Sequence, residues 1–257
     1  MPLKRFLVAL ALTVVAHAQT HAPHAVLIGI SEYAHLPKDL WLQYADADAT
    51  ALGKLLAVPP ANLTVLTNAQ ATTVAIRAAL HALPKDPNST IYVLIAAHGT
   101  VDNQGAYILT YDSDPANMAA TALPMAELQT LVQQDLAAAG HVVFLADVCR
   151  AATIGNLKTA TVGNAIEALG EAKGEMLGLM AARPAEVSFE GPQFGGGHGA
   201  FTWAVLEGLG GKADADHDGA VTAGELIDYV RGSVSRLTSG KQHPRDFGDM
   251  DNATRLR

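Results

Sequence analysis

The chain has 257 residues, of which 49% are hydrophobic and 16% are charged, and its formal net charge is −8. This composition is sufficient for a substantial buried core and is unlike that of a disordered chain. The negative charge argues against nucleic acid, and against an anionic membrane surface, as the partner of this protein.

The first eighteen residues have the order of parts that is typical of a secretory signal peptide. Lys4 and Arg5 precede an almost unbroken apolar run, which ends in small residues around Ala18. We therefore predict a signal peptide over residues 1–18, a secreted or periplasmic protein, and one domain over residues 19–257. An uncleaved membrane anchor is the alternative, although the apolar run is short for a membrane span. After cleavage we expect no contact with a membrane.

Beyond this segment, apolar runs that indicate buried strands alternate with amphipathic stretches that indicate helices. The predicted strands cover residues 25–30, 63–67, 91–97, 142–146 and 176–182. The predicted helices cover residues 46–57, 72–83, 124–139, 200–209 and 222–237. This alternation predicts an α/β fold with a mostly parallel sheet flanked by helices on both faces. Small and polar residues between 151 and 173 predict a long loop.

Cys149 is the only cysteine, so an internal disulfide is impossible. In an exported protein an unpaired cysteine suggests either an intermolecular disulfide or a reactive thiol. Cys149 follows one predicted strand and His98 follows another, and the carboxyl ends of parallel strands form the usual crevice of such a sheet. A thiol nucleophile needs a base that meets it in space. We therefore interpret Cys149 as a nucleophile and His98 as its catalytic partner.

Several segments around these residues occur in a characteristic order. They are HAVLIGISEY at the first strand, ADADATAL at the first helix, LIAAHG around His98, ILTYDSD after it, VVFLADVCRA around Cys149, and LMAARPAEVSFEGPQFGGGHGAFTWAVLEGL beyond the loop. The sequence resembles the caspase-like cysteine peptidases of the bacterial metacaspase and orthocaspase type. The separation of 51 residues between the histidine and the cysteine agrees with the value of about 50 for caspases. The resemblance implies a Cys–His dyad and oxyanion donors from the N–H groups of Gly99 and Cys149. Ala96 stands where metacaspases usually carry serine.

The resemblance also implies a preference for arginine or lysine before the cleaved bond. Caspases that cut after aspartate have glutamine two residues before the cysteine, whereas this chain has Asp147. In metacaspases an aspartate at that position and another on the first helix form an acidic pocket. Asp48 is the best match for the second aspartate, and Asp46 is the alternative. We therefore expect substrates that are proteins or peptides with basic residues.

Residues 214–225, DADHDGAVTAGE, fit the twelve-residue loop of an EF-hand, with glycine at the sharp turn. Oxygen ligands at this spacing suit Ca²⁺. The predicted ligands are Asp214, Asp216, Asp218, Ala220 through its carbonyl, Thr222 and Glu225. The alternative is a solvated acidic turn without a metal.

Three functions are compatible with these residues. The favoured one is a secreted endopeptidase that uses the Cys–His dyad. The alternatives are a non-catalytic caspase-like scaffold or interaction protein that binds calcium, and a cysteine-dependent hydrolase of non-peptide esters or amides. Intact Cys149, His98 and Gly99 argue against the scaffold, because degenerate members usually lose at least one of them.

Overall fold

The computed structural model describes residues 22–150, 160–171, 175–183 and 186–257. The predicted signal peptide lies outside these residues, and Cys149 is described by its backbone alone. Within the described part of the chain, every helix is too short or too polar to cross a membrane.

The described residues form ten strands and seven α-helices. The strands are β1 (His24–Gly29), β2 (Leu63–Thr67), β3 (Thr90–Val101), β4 (Ala106–Ile108), β5 (Leu123–Pro124), β6 (His141–Arg150), β7 (Glu175–Met180), β8 (Glu190–Gly191), β9 (His198–Gly199) and β10 (Arg245–Phe247). The helices are α1 (Ala45–Leu56), α2 (Thr73–His81), α3 (Met118–Thr121), α4 (Met125–Gln134), α5 (Ala160–Glu167), α6 (Ala200–Glu207) and α7 (Ala223–Leu237).

Eight strands form one sheet in the order β10-β7-β6-β3-β1-β2, with β4 beside the end of β3 and β5 beside β4. The pairings among β1, β2, β3, β6 and β7 are parallel, and those of β4, β5 and β10 are antiparallel. Strands β8 and β9 form a separate two-stranded ribbon. The prediction of an α/β fold with a mostly parallel sheet is therefore confirmed.

The central strands are apolar on both faces because each face is covered by helices. On β3, Val93 and Ile95 belong to the core that is shared with α2, α4 and α5. Leu94 and Ala96 point to the opposite face and belong to the core that is shared with α1, α6 and α7. Since successive strand residues alternate between faces, one apolar run supplies both cores.

The prediction of a loop over residues 151–173 is wrong in part, because helix α5 lies within it; residues 151–159, 172 and 173 are outside the described chain. Val162 and Ile166 are buried, and their spacing of one helical turn lays a single apolar stripe on the sheet. The residues between them are small or polar, so the composition of this segment indicated a loop and not a helix. The short strands β4, β5, β8, β9 and β10 and the one-turn helix α3 were not predicted.

Candidate active site

The two residues of the predicted dyad lie side by side on neighbouring strands. In the parallel pairing of β3 with β6, the Cα partner of His98 is Cys149. Adjacent strands are separated by about 4.8 Å, so this register brings the two backbones as close as a sheet allows. The residue that follows each of them, Gly99 and Arg150, forms the next pair of the ladder.

The imidazole of His98 is buried and held on two sides. Its Nε2 lies 2.6 Å from the carbonyl oxygen of Leu40. A carbonyl only accepts hydrogen bonds, so Nε2 carries the proton, and Nδ1 is the nitrogen with the lone pair in the neutral ring. The ring of Tyr33 stacks on the imidazole at a centroid distance of 5.3 Å, and its Oη accepts a hydrogen bond of 2.9 Å from the His98 backbone N–H. Orientation and tautomer of the imidazole are thus both set by the fold.

Gly99 occupies a place where a side chain would collide with the core. A Cβ at this position would lie 2.7 Å from a methyl carbon of Val148 and 2.8 Å from one of Val162. Glycine is therefore needed for the close packing of α5 on the end of β3. Its role as an oxyanion donor stays a prediction.

A small pocket lies on the face of the sheet that α1 and α6 cover. Its wall includes Asp48, Ala96, Asp147, Ser188, Glu190 and Gly199. The two aspartates that the resemblance paired therefore line one pocket, although 99 residues separate them in the chain. Ala96 lies on β3 two residues before His98, which puts the pocket next to the predicted dyad.

Asp147 is buried and lies among hydroxyl groups. Its carboxylate accepts hydrogen bonds from Ser188 Oγ at 2.8 Å and from Thr202 Oγ1 at 2.9 Å. Burial raises the pKa of Asp147, and the two hydroxyl donors oppose that increase. Two neutral hydroxyl groups thus donate hydrogen bonds to this buried carboxyl group.

Asp48 lies on the first turn of α1 and is also buried. It accepts a hydrogen bond from Nδ1 of His198 at 2.7 Å and weaker ones from the backbone N–H of Gly199 at 3.2 and 3.3 Å. Burial, and to a smaller degree the charge of Asp147, raises the pKa of Asp48 to about 7, against the lowering effect of the His198 hydrogen bond. At neutral pH this carboxyl group is close to its titration midpoint.

Asp46, the alternative to Asp48, lies elsewhere. It accepts a hydrogen bond of 2.6 Å from Ser31 Oγ and one of 3.3 Å from Asn68 Nδ2, a network that ties α1 to the ends of β1 and β2. Asp46 and Asp48 are two residues apart on α1 and therefore face different sides of the helix, so only one of them can reach the pocket.

Two functional candidates were missed by the sequence interpretation, Glu190 and His198. Glu190 adds a third carboxylate to the pocket and accepts hydrogen bonds from the backbone N–H groups of Gln43 and Tyr44 at 3.0 and 3.1 Å. Burial raises its pKa. Both residues lie in the long segment beyond the loop that matched the family, but nothing in that segment distinguishes a pocket residue from a turn residue.

Comparison with known families decides the relationship. Residues 22–250 match the family model of the caspase domain. The chain belongs to the caspase-domain family of cysteine peptidases. This caspase domain shares its fold with the crystal structure of protein GSU0716 from Geobacter sulfurreducens, with a TM-score of 0.60 and 17% sequence identity over 92% of this chain and 100% of that chain. No curated protein matches the sequence.

The predicted calcium loop of this caspase domain has converging carboxylates. Asp214, Asp216 and Asp218 each offer an oxygen, and these oxygens lie within 4.8 Å of one another. Glu225 accepts hydrogen bonds from the Thr222 N–H at 2.9 Å and the Ala215 N–H at 2.9 Å, which hold its pKa low, at about 2. The three aspartates therefore converge, and their oxygen donors fit a hard divalent cation. Glu225, the fourth predicted carboxylate ligand, lies outside this cluster and forms the capping box of α7 with Thr222.

The loop is supported by the last residues of the caspase-domain chain. The N–H of Val221 donates to the carbonyl of Arg257 at 2.7 Å, and the N–H of Leu256 donates to the carbonyl of Val221 at 2.8 Å. Arg255 forms an ion pair with Asp218. Tyr92 on β3 donates to the carbonyl of Leu256 at 2.7 Å. The loop is thereby connected to the central sheet by main-chain and side-chain hydrogen bonds.

Proposed function

We propose that this protein is a secreted cysteine endopeptidase that cleaves after arginine or lysine. The observation that carries the proposal is the pairing of His98 with Cys149 on adjacent strands beside a pocket of three carboxylates. Membership of the caspase-domain family supports cysteine-type chemistry on protein substrates. Export rests on the predicted signal peptide over residues 1–18 and is tested by finding mature protein that begins after Ala18 outside the cytoplasm.

In the proposed reaction, Nδ1 of His98 takes the proton of the Cys149 thiol, and the thiolate sulfur attacks the carbonyl carbon of the scissile peptide bond. The carbonyl oxygen becomes an oxyanion, which the backbone N–H groups of Gly99 and Cys149 stabilise. The C–N bond then breaks, and the imidazolium returns its proton to the departing amine. Water, activated by His98, hydrolyses the thioester and regenerates the thiol. Throughout, the Leu40 carbonyl keeps its hydrogen bond to Nε2 and favours the imidazolium.

The acidic pocket supports a basic side chain at the residue before the cleaved bond. Burial is the main cause of the raised pKa of Asp48 and of Glu190, and the charge of Asp147 raises both further, so Asp147 disfavours the ionised forms of its two neighbours. A guanidinium or ammonium group would relieve this repulsion and form charge-assisted hydrogen bonds in a site partly removed from water. Aspartate at the same position would add a fourth anion.

Fluorogenic peptides that differ only in the residue before the cleaved bond test this proposal. Arginine and lysine peptides should be cleaved, and aspartate peptides should not. Asp147→Asn should lower kcat/KM for the arginine peptide by about tenfold or more, because one charge-assisted hydrogen bond contributes about 1.5–3 kcal/mol. Asp46→Asn makes the same chemical change on α1 outside the pocket and should leave selectivity unchanged. Preference for aspartate would overturn the assignment.

Covalent labelling separates the peptidase from the two alternative functions. A peptidyl arginine chloromethyl ketone should alkylate Cys149 in the wild type and fail to react with a His98→Ala variant, because the thiolate then lacks its base. No labelling, with the fold intact, would favour the calcium-binding scaffold. Hydrolysis of small esters without cleavage of any peptide would favour the third alternative.

We also propose that the loop over residues 214–225 binds Ca²⁺ through Asp214, Asp216, Asp218, Ala220, Thr222 and Glu225. The convergence of the three aspartates within 4.8 Å supports it. Calorimetric titration should detect one site, which Asp216→Asn should weaken. Asp228→Asn, an exposed carboxylate on the helix after the loop, is the matched control and should bind as the wild type does. Equal binding by both variants would exclude this loop as the site.

A further inference from the structure

His198 is held firmly beside the acidic pocket, although the proposed chemistry gives it no part. Its side chain is 14% exposed, and its Nδ1 lies 2.7 Å from Asp48 Oδ1. Its ring stacks on the indole of Trp203, with a centroid distance of 5.7 Å and an interplanar angle of 12°. Because the stack fixes the plane of the imidazole, Nδ1 is aimed at the carboxylate.

The charges around Asp48 come from three elements. Asp147 on β6 and Glu190 on β8 carry the other carboxyl groups of its pocket. His198 on β9 is the titratable group that donates a hydrogen bond to it, and Gly199 adds a backbone N–H. Burial and the Asp147 charge favour the protonated form of Asp48, whereas these two donors favour the ionised form.

We propose that His198 is a positioning residue for substrate selectivity: its Nδ1–H orients the Asp48 carboxylate and favours the ionised form that receives a basic side chain. The inference rests on the proposed function, because it assumes that the pocket accepts a cation. It adds that the pocket has a working pH range, which a residue outside the pocket lining extends to lower pH.

The direction of the effect follows from the ionisation of Asp48. Below about pH 7 the protonated carboxyl attracts a cation weakly, and above about pH 7 the carboxylate attracts it strongly. Affinity for a cation should therefore rise as the pH increases through neutrality, and binding should release a proton. Without the His198 hydrogen bond, Asp48 is harder to ionise, and the rise should move up by about one pH unit or more.

Binding of benzamidine, a planar amidinium, measures this without requiring catalysis. Calorimetric titrations of the full chain carrying Cys149→Ala, from pH 5.5 to 9, should give an affinity that increases with pH and then levels. Adding His198→Phe keeps a ring against Trp203 but removes the donor, and should move the midpoint upward. Adding His198→Gln leaves a neutral N–H donor and should move it upward by less.

The possible results test the acidic pocket and the role of His198 separately. If benzamidine does not bind at any pH, the acidic pocket of the proposed function fails, and this inference fails with it. If benzamidine binds with an affinity independent of pH, or with the same midpoint in the histidine variants, the pocket stands and the role of His198 is overturned. Should the phenylalanine variant not fold, an unchanged midpoint in the glutamine variant alone overturns it.

Discussion

Replacing Asp48 by asparagine should change how the stability of the protein depends on pH. In the unfolded chain this carboxyl group titrates near 3.8, and in the folded protein near 7. Between these values the folded state retains a proton that the unfolded state has released. The free energy of unfolding therefore falls as the pH rises from about 4 to about 7, and it is not affected by this group below that range.

The expected magnitude follows from the difference between the two pKa values. A difference of about 3 units corresponds to about 4 kcal/mol of stability lost across the range. The asparagine variant cannot titrate there, and its side-chain oxygen can still accept from His198 and Gly199. Removing the Asp48 charge also relieves Asp147, which acts in the same direction. About 1 kcal/mol of this is already lost at pH 4.5, so relative to the wild type Asp48→Asn should be up to about 3 kcal/mol more favourable at pH 8 than at pH 4.5.

Urea unfolding of the wild type and of Asp48→Asn at pH 4.5, 5.5, 6.5 and 8 measures this change directly. Asp46→Asn, which alters the same helix outside the pocket, reports the effect of removing a carboxylate from α1 in general. A stability difference between Asp48→Asn and the wild type that stays constant over the whole range would refute the reasoning. The pKa of Asp48 would then be the same in the folded and the unfolded protein.

Three further predictions concern the dyad, Gly199 in the pocket wall and the calcium loop. Cys149→Ala and His98→Ala should each abolish peptide cleavage and leave the circular dichroism spectrum unchanged; an active Cys149→Ala protein would rule out the mechanism. Gly199→Ala should lower kcat/KM for arginine peptides by about tenfold or more, because its Cβ would lie 2.6 Å from an Asp147 oxygen. Gly210→Ala is the control: a Cβ there meets open space, and kcat/KM should not change. Calcium at a hundredfold excess over Kd should stabilise the protein by about 2.7 kcal/mol in thermal melts, and Asp214→Asn should remove most of that gain; melting curves identical with calcium and with chelator would contradict a calcium site.

The strands and helices of the central layers were predictable because each carries its own periodicity. Residues 91–97 and 142–146 are continuous apolar runs, and a strand buried on both faces requires such a run. The observed strands β3 and β6 extend further, to Val101 and Arg150, because pairing with neighbours stabilises their polar ends. Local patterns thus located these strands, whereas tertiary pairing determined their lengths.

The residues of the candidate site that could be predicted are those that a family pattern marks. Asp147 and Asp48 were paired by resemblance, and the structure places both on one pocket. Glu190 and His198 have no such marker. They lie on the ribbon of β8 and β9, whose strands have two residues each and whose position depends on contacts with α1. A carboxylate becomes a pocket residue only when the fold brings it there, and strands this short have no alternation from which their direction can be read.

One short stretch of chain serves both halves of the proposed site. The carbonyl of Leu40 accepts a hydrogen bond from Nε2 of His98, the N–H groups of Gln43 and Tyr44 donate to Glu190, and Asp48 lines the pocket. Residues 40–48 therefore contact both the proposed base and the proposed selectivity pocket. A displacement of the start of α1 would therefore disturb the proposed base and the proposed pocket together, so changes in activity and in selectivity should accompany each other in variants of this stretch.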